Sequence, residues 1–366
     1  MKIRRQKLFL RDKSGVIMIV GLWILVVLSI LAIGLGRRTR INLALAKHVV
    51  AKTKADYLAW AGINYALNQM SNLASGNEEN KIDILYQCGI SFDEEQTSES
   101  VFKDIPLKDG IFDVRYNIYD ASNNQNDICY GFQDEERRIN LNALNSQNYK
   151  VLSYLLVFLG VENIAADEIA SSVVDWKDAD SDVFNSSFGA EDDFYMSREK
   201  PYHCKNLSLD TIEEILLVKS VDDKIFKRLK GYITVFPKQS TELSINVNTA
   251  SEIVLKSFFY LFADQNPTAS WADADSLVAK ILQYRQGSDG KPCTADDQTI
   301  QKNNVETFAL NSIELSIFLS ASGKIKEESL YYRIKTQGRS FFLNVLSEIE
   351  VVVDRENFSI ASWSKK

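Results

Sequence analysis

The chain has 366 residues, a formal net charge of −7, 45% hydrophobic residues and 11% aromatic ones. This composition supplies apolar side chains for a packed core over two or three domains and excludes disorder over most of the chain. The first 40 residues carry a net charge of +8, so residues 41–366 carry −15. Such an acidic surface repels phosphate backbones and attracts cations.

A basic head precedes a long apolar run at the start of the chain. Residues 1–15 contain six Lys or Arg and one acid, and residues 16–36 are uncharged and predominantly apolar. As a helix this run spans about 31 Å, close to the hydrocarbon thickness of a bilayer. Because positive charge beside a membrane segment tends to stay in the cytoplasm, we expect one crossing with the head inside and the remaining chain outside.

The processing site is predicted from the residues on each side of the apolar run. Three arginines follow the run directly, where a cleaved signal peptide would have a small-residue site. Gly15 is the other candidate, and cleavage after it would leave Val16 and the apolar helix as the new N-terminus. This arrangement resembles that of type IV prepilins.

The segment after the apolar run extends this resemblance. Its motif DYLAWAGINYAL resembles the YYLAEAG motif of pilin-like helices, so we predict one helix from Val16 to about Leu73. The fifth residue from Val16 is Val20, where most type IV pilins and pseudopilins carry a glutamate. That glutamate is thought to pair with the amino terminus of the neighbouring subunit, because a charge in apolar surroundings is costly unless paired. A subunit with nothing above it needs no such carboxylate, and the chain resembles the minor pseudopilin K family of type II secretion systems (general secretion pathway protein K). A plain signal anchor is the alternative interpretation of Val20.

The resemblance implies a function in assembly. A minor pseudopilin of this family is proposed to sit at the tip of the secretion pseudopilus and to initiate or cap its assembly for protein export across the outer membrane. The implied partners are the minor pseudopilins I and J, the major pseudopilin, and the prepilin peptidase, with methylation accompanying processing. The implied location is the inner membrane, with the N-terminus cytoplasmic and the bulk of the chain periplasmic. The sequence contains no G-x-S-x-G, P-loop or H-E-x-x-H motif, so we predict no enzymatic activity and expect no nucleic acid as a partner.

The densest group of acidic residues lies between residues 173 and 206. Seven carboxylates fall within 19 residues there. They would repel one another unless they are solvated or bound to a hard cation such as calcium, which takes about six to eight oxygen ligands. The runs DWKDAD, GAEDDFY and PY also resemble the calcium-binding loop of the protein K family. The resemblance implies calcium ligands at Asp178, Asp180, Glu191 and Asp192, with secondary candidates at Asp175, Asp182 and Asp193. A solvated acidic loop is the alternative, and no EF-hand frame fits these residues.

A second acidic loop covers residues 285–299. It contains Asp289, Asp296 and Asp297 around a Gly-Lys-Pro turn and resembles the DGxxGTxDD loops of pseudopilins and other exported proteins. Cys293 stands where those loops have glycine. We expect either a calcium site here or a turn in which Asp and Gly have their ordinary conformational functions.

The remaining pattern predicts an α+β fold whose antiparallel sheet is split in sequence. Residues 111–122 and 127–136 alternate apolar and polar positions as a hairpin does, and residues 330–363 supply three more strands. The residues between are mostly helical, which predicts a helical domain inserted into a pilin-like module of one helix and a sheet. The predicted segments are a leader (1–15), a membrane helix (16–36), a periplasmic helix with the first strands (37–137), the insert (138–325) and the closing strands (326–366).

The insert contains an internal echo, because RINLNALNSQ (138–147) and SINVNTASEI (244–253) share the pattern I-N-x-N. We predict two related helical units, 138–237 and 244–325. In each unit we expect an Asn, Ser or Thr to cap the helix that follows the I-N-x-N pattern, and Asn142 and Asn248 lie just upstream of that helix. The same pattern opens the helix-hairpin-helix modules of competence-type DNA receptors. A membrane-anchored DNA-binding protein of a competence or type IV pilus system is therefore the alternative function. The corresponding turn (216–232) lacks the Gly-x-Gly that favours phosphate contact and carries two aspartates, so we interpret the echo as structural ancestry.

Overall fold

The computed structural model describes residues 14–74, 98–120, 125–288, 298–302, 305 and 309–365. Helix α1 runs from Ser14 to Ala74, which confirms the prediction of one long N-terminal helix. Residues 15–50 of α1 are exposed in the isolated chain, whereas one face is buried from Ala51 onward. Among the described residues, this helix is long and apolar enough to cross a membrane.

The strands build one antiparallel sheet and two short parallel pairs. In chain order they are β1 (Ile105–Leu107), β2 (Gly110–Asp120), β3 (Gln125–Tyr130), β4 (Gln133–Asp134), β5 (Ile139–Asn140), β6 (Ile233–Thr234), β7 (Ile245–Asn246), β8 (Ile325–Lys326), β9 (Tyr331–Ser340), β10 (Val345–Asp354) and β11 (Ser359–Lys365). The sheet has the order β1-β2-β9-β10-β11, with β3 also paired to β2 and β4 to β9. Strands from both ends of the sequence thus meet at β2 and β9, which confirms the predicted α+β class and the split sheet.

Helix α1 lies against the sheet at close range. A Cβ added to Gly338 of β9 would lie 2.2 Å from the Ala55 carbonyl oxygen and 2.4 Å from the Ala59 nitrogen. Two residues further back on β9, the Thr336 hydroxyl donates to the Ala59 carbonyl at 2.8 Å. Glycine at position 338 therefore lets the helix backbone approach the strand directly.

Aromatic contacts show which end of the sheet the later part of α1 reaches. The ring centroid of Tyr65 lies 6.2 Å from that of Phe102, and edge-on contacts continue from Phe102 to Phe132 and from Phe132 to Tyr332. Tyr332 is at the start of β9, where the helical insert joins the sheet. The insert therefore lies at the end of the sheet remote from the apolar start of α1.

The insert is helical and has its own core. The helices after α1 are α2 (Ser98–Phe102), α3 (Lys150–Phe158), α4 (Asn163–Lys177), α5 (Asp192–Met196), α6 (Asp223–Leu229), α7 (Glu252–Gln265), α8 (Trp271–Arg285) and α9 (Ser312–Ala321). Buried residues of α3, α4, α7, α8 and α9 belong to one hydrophobic cluster, separate from the cluster between α1 and the sheet. The parallel pairs β5–β6 and β7–β8 join the first and last residues of the two echo-related segments.

Asn142 and Asn248, the second asparagine in each copy of I-N-x-N, have a function that the sequence pattern does not predict. Asn142 Nδ2 donates to the Leu209 carbonyl at 3.0 Å, and its Oδ1 accepts from the Leu209 nitrogen at 2.8 Å. Asn248 makes the same two bonds with Ile300, at 3.1 and 2.7 Å. The helices that follow have no side-chain cap from either asparagine. Each buried amide instead pairs with the backbone of a distant loop and closes its unit, because such a backbone needs partners when it is buried.

Candidate metal centre

The acidic loop connects α4 to α5, with Asp178 directly after α4 and Glu191 directly before α5. Asp175, buried in the last turn of α4, determines the path of the loop. Its Oδ1 accepts from the Phe184 nitrogen at 2.9 Å, and its Oδ2 accepts from the Ala190 nitrogen at 2.7 Å. These bonds hold the returning loop against α4 and bring its two ends together.

Gly189 makes this close return possible. A Cβ at position 189 would lie 2.1 Å from Asp175 Oδ2 and 2.6 Å from the Val183 side chain. Any larger residue would therefore displace the carboxylate that organises the loop.

Three of the predicted ligands come together at this point. Asp178, Asp180 and Glu191 each offer a carboxylate oxygen, and these three atoms lie within 4.8 Å of one another. Among the described residues, Asp178 Oδ1 and both carboxylate oxygens of Glu191 are buried without a hydrogen-bond partner. Buried oxygens without donors are costly, so this group is poised to accept a cation or protons.

The environment raises the pKa values of two of these carboxyl groups. Burial, followed by the nearby charges of Asp175 and Asp178, raises the pKa of Glu191 to about 7. Burial and the neighbouring carboxylates of Asp180 and Asp175 raise the pKa of Asp178 to about 6. Both shifts mean that the ionised cluster is disfavoured unless positive charge is supplied.

Asn206 is a further candidate that the sequence analysis did not name. Its Nδ2 donates to the Asp180 carbonyl at 3.3 Å, and its Oδ1 is buried without a partner among the described residues. The residue has a φ of 51°, in the left-handed region that asparagine tolerates better than most residues. The sequence could have indicated this candidate, because Asn206 ends the acidic segment and amide oxygens are common calcium ligands.

The other predicted ligands of this loop lie outside the group of three. Asp192 Oδ1 accepts from the Cys204 nitrogen at 2.6 Å, and its Oδ2 lies 2.9 Å from His203 Nδ1. The His203 contact and then the Cys204 amide lower the pKa of Asp192. Asp175 is structural, as described above. Two secondary candidates, Asp182 and Asp193, are exposed. The candidates of the second acidic loop fall outside the described residues: Asp289, Asp296 and Asp297.

The donor set fits a hard divalent cation. Three carboxylates and an unpartnered amide oxygen provide oxygen atoms only, and a loop with exposed residues leaves room for water ligands. Such sites suit calcium, whereas zinc sites use nitrogen and sulfur. If calcium binds, Asp178, Asp180 and Glu191 would hold it, and its charge would offset their mutual repulsion.

Calcium affinity is expected to increase by about tenfold or more between pH 5 and pH 8, because calcium must displace protons from Asp178 and Glu191. The raised pKa values, about 6 and about 7, place this change near neutral pH. Titration calorimetry at several pH values, in buffers of different ionisation enthalpy, measures both the affinity and the protons released. An affinity that does not change over this range would contradict the assignment of these carboxylates as ligands.

A long apolar helix packed on a small antiparallel sheet, with a helical insert at the far end and an acidic loop within it, defines a pilin-like fold. Residues 137–238 match the family model "Type II secretion system (T2SS), protein K". Over this part of the chain, which is most of the first helical unit, the protein is similar to the type II secretion system protein K family.

Known proteins with the same description are similar to parts of this chain. The chain is 34% identical over 173 residues to a protein of Escherichia coli strain K12 described as a type II secretion system protein K, covering 44% of this chain and 50% of that protein. It is 27% identical over 241 residues to type II secretion system protein K of Aeromonas hydrophila, covering 65% and 68%. Against the Escherichia coli relative, the match spans about half of that protein's length.

The fold also matches a solved structure. A chain in the crystal structure of the GspK-GspI-GspJ complex from enterotoxigenic Escherichia coli superimposes with a TM-score of 0.53 at 18% identity. The match covers 90% of this chain and 99% of that chain. At this identity the likeness supports the fold alone.

Proposed function

We propose that this chain is a minor pseudopilin at the tip of a type II secretion pseudopilus, where it initiates or caps assembly for protein export across the outer membrane. It would be anchored in the inner membrane by α1, with the N-terminus cytoplasmic and the insert in the periplasm. Similarity to protein K of type II secretion systems over residues 137–238, and over 173 residues of the Escherichia coli relative, supports this proposal. The position at the tip is our inference.

The observation that carries the proposal is the apolar part of α1. Residues 16–36 contain no charged side chain, and Val20 occupies the place of the usual pilin glutamate. These residues are exposed in the isolated chain, so lipid or neighbouring apolar helices must cover them. A helix without the buried acid can pack beside other subunits but offers no partner to the amino terminus of a subunit above it.

The placement of the insert supports the same conclusion. It joins the sheet at the start of β9, at the end remote from the membrane segment, through β4 and β5. A bulky helical body there would obstruct a further subunit stacked on the same axis. Minor pseudopilins I and J, together with the major pseudopilin, would pack against α1, and calcium would stabilise the acidic loop.

The alternative function, DNA binding through a helix-hairpin-helix turn, is not favoured by the geometry of that turn. Lys219 would be the phosphate-binding cation, but it pairs with Glu168 at 2.8 Å and donates to the Phe188 carbonyl at 3.3 Å. Asp222 accepts from the Ile225 nitrogen as the cap of α6. Lys219, next to the start of the turn, is therefore engaged within the protein, and Asp222 is committed to capping the helix.

Replacing Gly15 by leucine is expected to abolish processing by the prepilin peptidase, because the residue before the cut must be small. Gly21→Leu is the matched control, since glycines 15 and 21 both lie on α1 with no atom within 4 Å of an added Cβ. Immunoblotting of membrane fractions should show a precursor for Gly15→Leu and the mature form for the control. A mature band of unchanged mobility in Gly15→Leu would indicate a plain signal anchor.

The position at the tip is tested by locating the chain on assembled pseudopili. An affinity tag after Lys366 and gold labelling should place the protein at fibre ends, where minor pseudopilins I and J copurify with it. A photo-reactive residue at Val20 should cross-link to other pseudopilins and not to a second copy of this chain. Label distributed along the shafts would exclude a cap.

A further inference from the structure

A basic cleft lies where the helical insert meets the sheet. The cavity has a volume of about 680 Å³, and its lining includes Arg137, Arg138, Lys227, Arg228 and Lys230. None of its described lining residues is acidic. Five cations around one cavity are unexpected in a region whose overall charge is −15.

Most of this charge is not neutralised by the protein. Within the described part of the chain, Arg137, Lys227, Arg228 and Lys230 form no ion pair with a carboxylate, although Arg228 Nη1 donates to the Leu159 carbonyl at 3.2 Å. Arg138 differs, because its Nη1 lies 2.8 Å from Glu135 Oε1. Four cations gathered without counter-charges repel one another, and a bound anion would relieve this repulsion.

Two buried donors point to the same cavity. Ser251, a lining residue, has a buried Oγ without a hydrogen-bond partner among the described residues, and so does Arg138 at Nε. Ser251 occupies the N-cap position of α7, a helix of 14 residues, yet its side chain does not cap the helix. The hydroxyl and the positive end of the helix are thus both available to an anion.

The remaining wall of the cavity is apolar, which favours a ligand that has apolar groups as well as negative charge. Leu159, Tyr232 and Val254 line it beside the cations. The volume of the cavity is typical of a site for a drug-sized ligand and is larger than a single phosphate ion would fill. Clusters of Arg and Lys with adjacent apolar surface are a recurring way to recognise acidic peptide motifs.

We propose that this cleft binds an acidic peptide segment of a protein partner, with its carboxylates on the cations and an apolar side chain on the opposite wall. The proposal does not depend on the position at the pseudopilus tip. It concerns the junction of the insert with the sheet, and the cleft is lined by no residue of α1 or of the acidic loop. Its test uses purified protein, so its outcome and that of the tip assignment are independent.

Fluorescence anisotropy of labelled hexaglutamate with the full chain in detergent tests the proposal. Lys227→Gln is expected to weaken binding about threefold, and the triple variant with Arg137→Gln and Lys230→Gln about 20-fold. Lys224→Gln is the matched control, because Lys224 is exposed on the same helix but does not line the cleft. All variants keep the basic head of the chain, so any binding there is equal. Carbodiimide cross-linking followed by mass spectrometry should join the peptide to Lys227 and Lys230.

Three results would overturn the proposal. Hexaglutamate that fails to bind at low salt shows that the cleft is a solvated basic surface. Equal losses for Lys224→Gln and Lys227→Gln show attraction to the helix as a whole. Inorganic pyrophosphate that displaces the labelled peptide at a lower concentration than unlabelled hexaglutamate does would show that the site is built for phosphate.

Discussion

Glu135→Ala is expected to destabilise the protein by about 3 kcal/mol, because it leaves the largely buried guanidinium of Arg138 without a carboxylate and that of Arg333 with Glu350 alone. Glu135 is fully buried, and its Oε1 lies 2.8 Å from Arg138 Nη1 and 2.5 Å from Arg333 Nε. Its Oε2 accepts from the Thr234 hydroxyl. These contacts join β4, β9 and the first helical unit at one side chain. The substitution should loosen the attachment of the insert to the sheet.

The acid dependence of stability provides a second measurement of the same contact. Burial alone would raise the pKa of Glu135, but the two arginines outweigh it and hold the pKa at about 2. Because the folded-state pKa is depressed, the contribution is complete above the unfolded value of about 4.5 and is lost as the pH falls toward 2. Wild-type protein should lose stability over this range, and Glu135→Ala should lose less.

Urea unfolding followed by circular dichroism measures both effects, with Glu328→Ala as the control. Glu328 is also paired with an arginine, Arg355, at 3.5 Å, but its side chain is 54% exposed. An exposed pair contributes about 0–1 kcal/mol, so the control should change stability little. Equal effects of the two substitutions would show that the Glu135 cluster does not connect the insert to the sheet.

The sequence predicts the large elements of this fold because their patterns are long. An uninterrupted apolar run followed by a breaker-free segment indicates α1, and strict alternation indicates the β2–β3 hairpin and the closing strands. The function of Asn142 and Asn248 was not predictable in this way. Their partners lie 67 and 52 residues away, and a local pattern cannot distinguish a cap from a distant backbone contact.

The candidate site shows the same limit. The acidic segment identified Asp178, Asp180 and Glu191, which the fold brings together. The sequence could not show that Asp175 binds the loop backbone or that Asp192 contacts His203. These aspartates resemble the three clustered acids in chemistry and spacing, and only the burial and direction of each side chain in the fold distinguish them. The alternation over 127–136 likewise predicts a strand through the three buried acids at 134–136, whereas Asp134 and Glu135 bond to the two helical units through Thr249 and Thr234.

Glu191→Gln is expected to abolish stabilisation by calcium while making the calcium-free protein more stable. In wild type, calcium at about 100 times its dissociation constant should add about 2.7 kcal/mol to the free energy of unfolding. The variant retains an oxygen but loses the charge that binds the ion. Thermal unfolding with calcium and with a chelator, at pH 8, measures both changes.

The higher stability of calcium-free Glu191→Gln relative to calcium-free wild type is expected to depend on pH. The folded-state pKa of Glu191 is raised to about 7, so above that pH the folded protein carries a carboxylate that its surroundings disfavour relative to the unfolded chain. At pH 8 with chelator, wild type therefore bears a cost that the neutral amide avoids. As the pH falls below 7 the folded protein gains a proton on Glu191 and the difference shrinks, and below the unfolded pKa of about 4.5 both states hold that proton and the difference between the two proteins should disappear.

Asp182→Asn is the matched control for this experiment. Asp182 belongs to the same acidic loop and carries the same charge, but it is exposed and lies outside the group of three carboxylates. Its substitution should leave the calcium-dependent shift in melting temperature within about 1 °C of wild type, since surface changes away from special contacts have small effects. Equal calcium shifts in Glu191→Gln and wild type would show that the acidic loop is solvated and that its buried oxygens bind no ion.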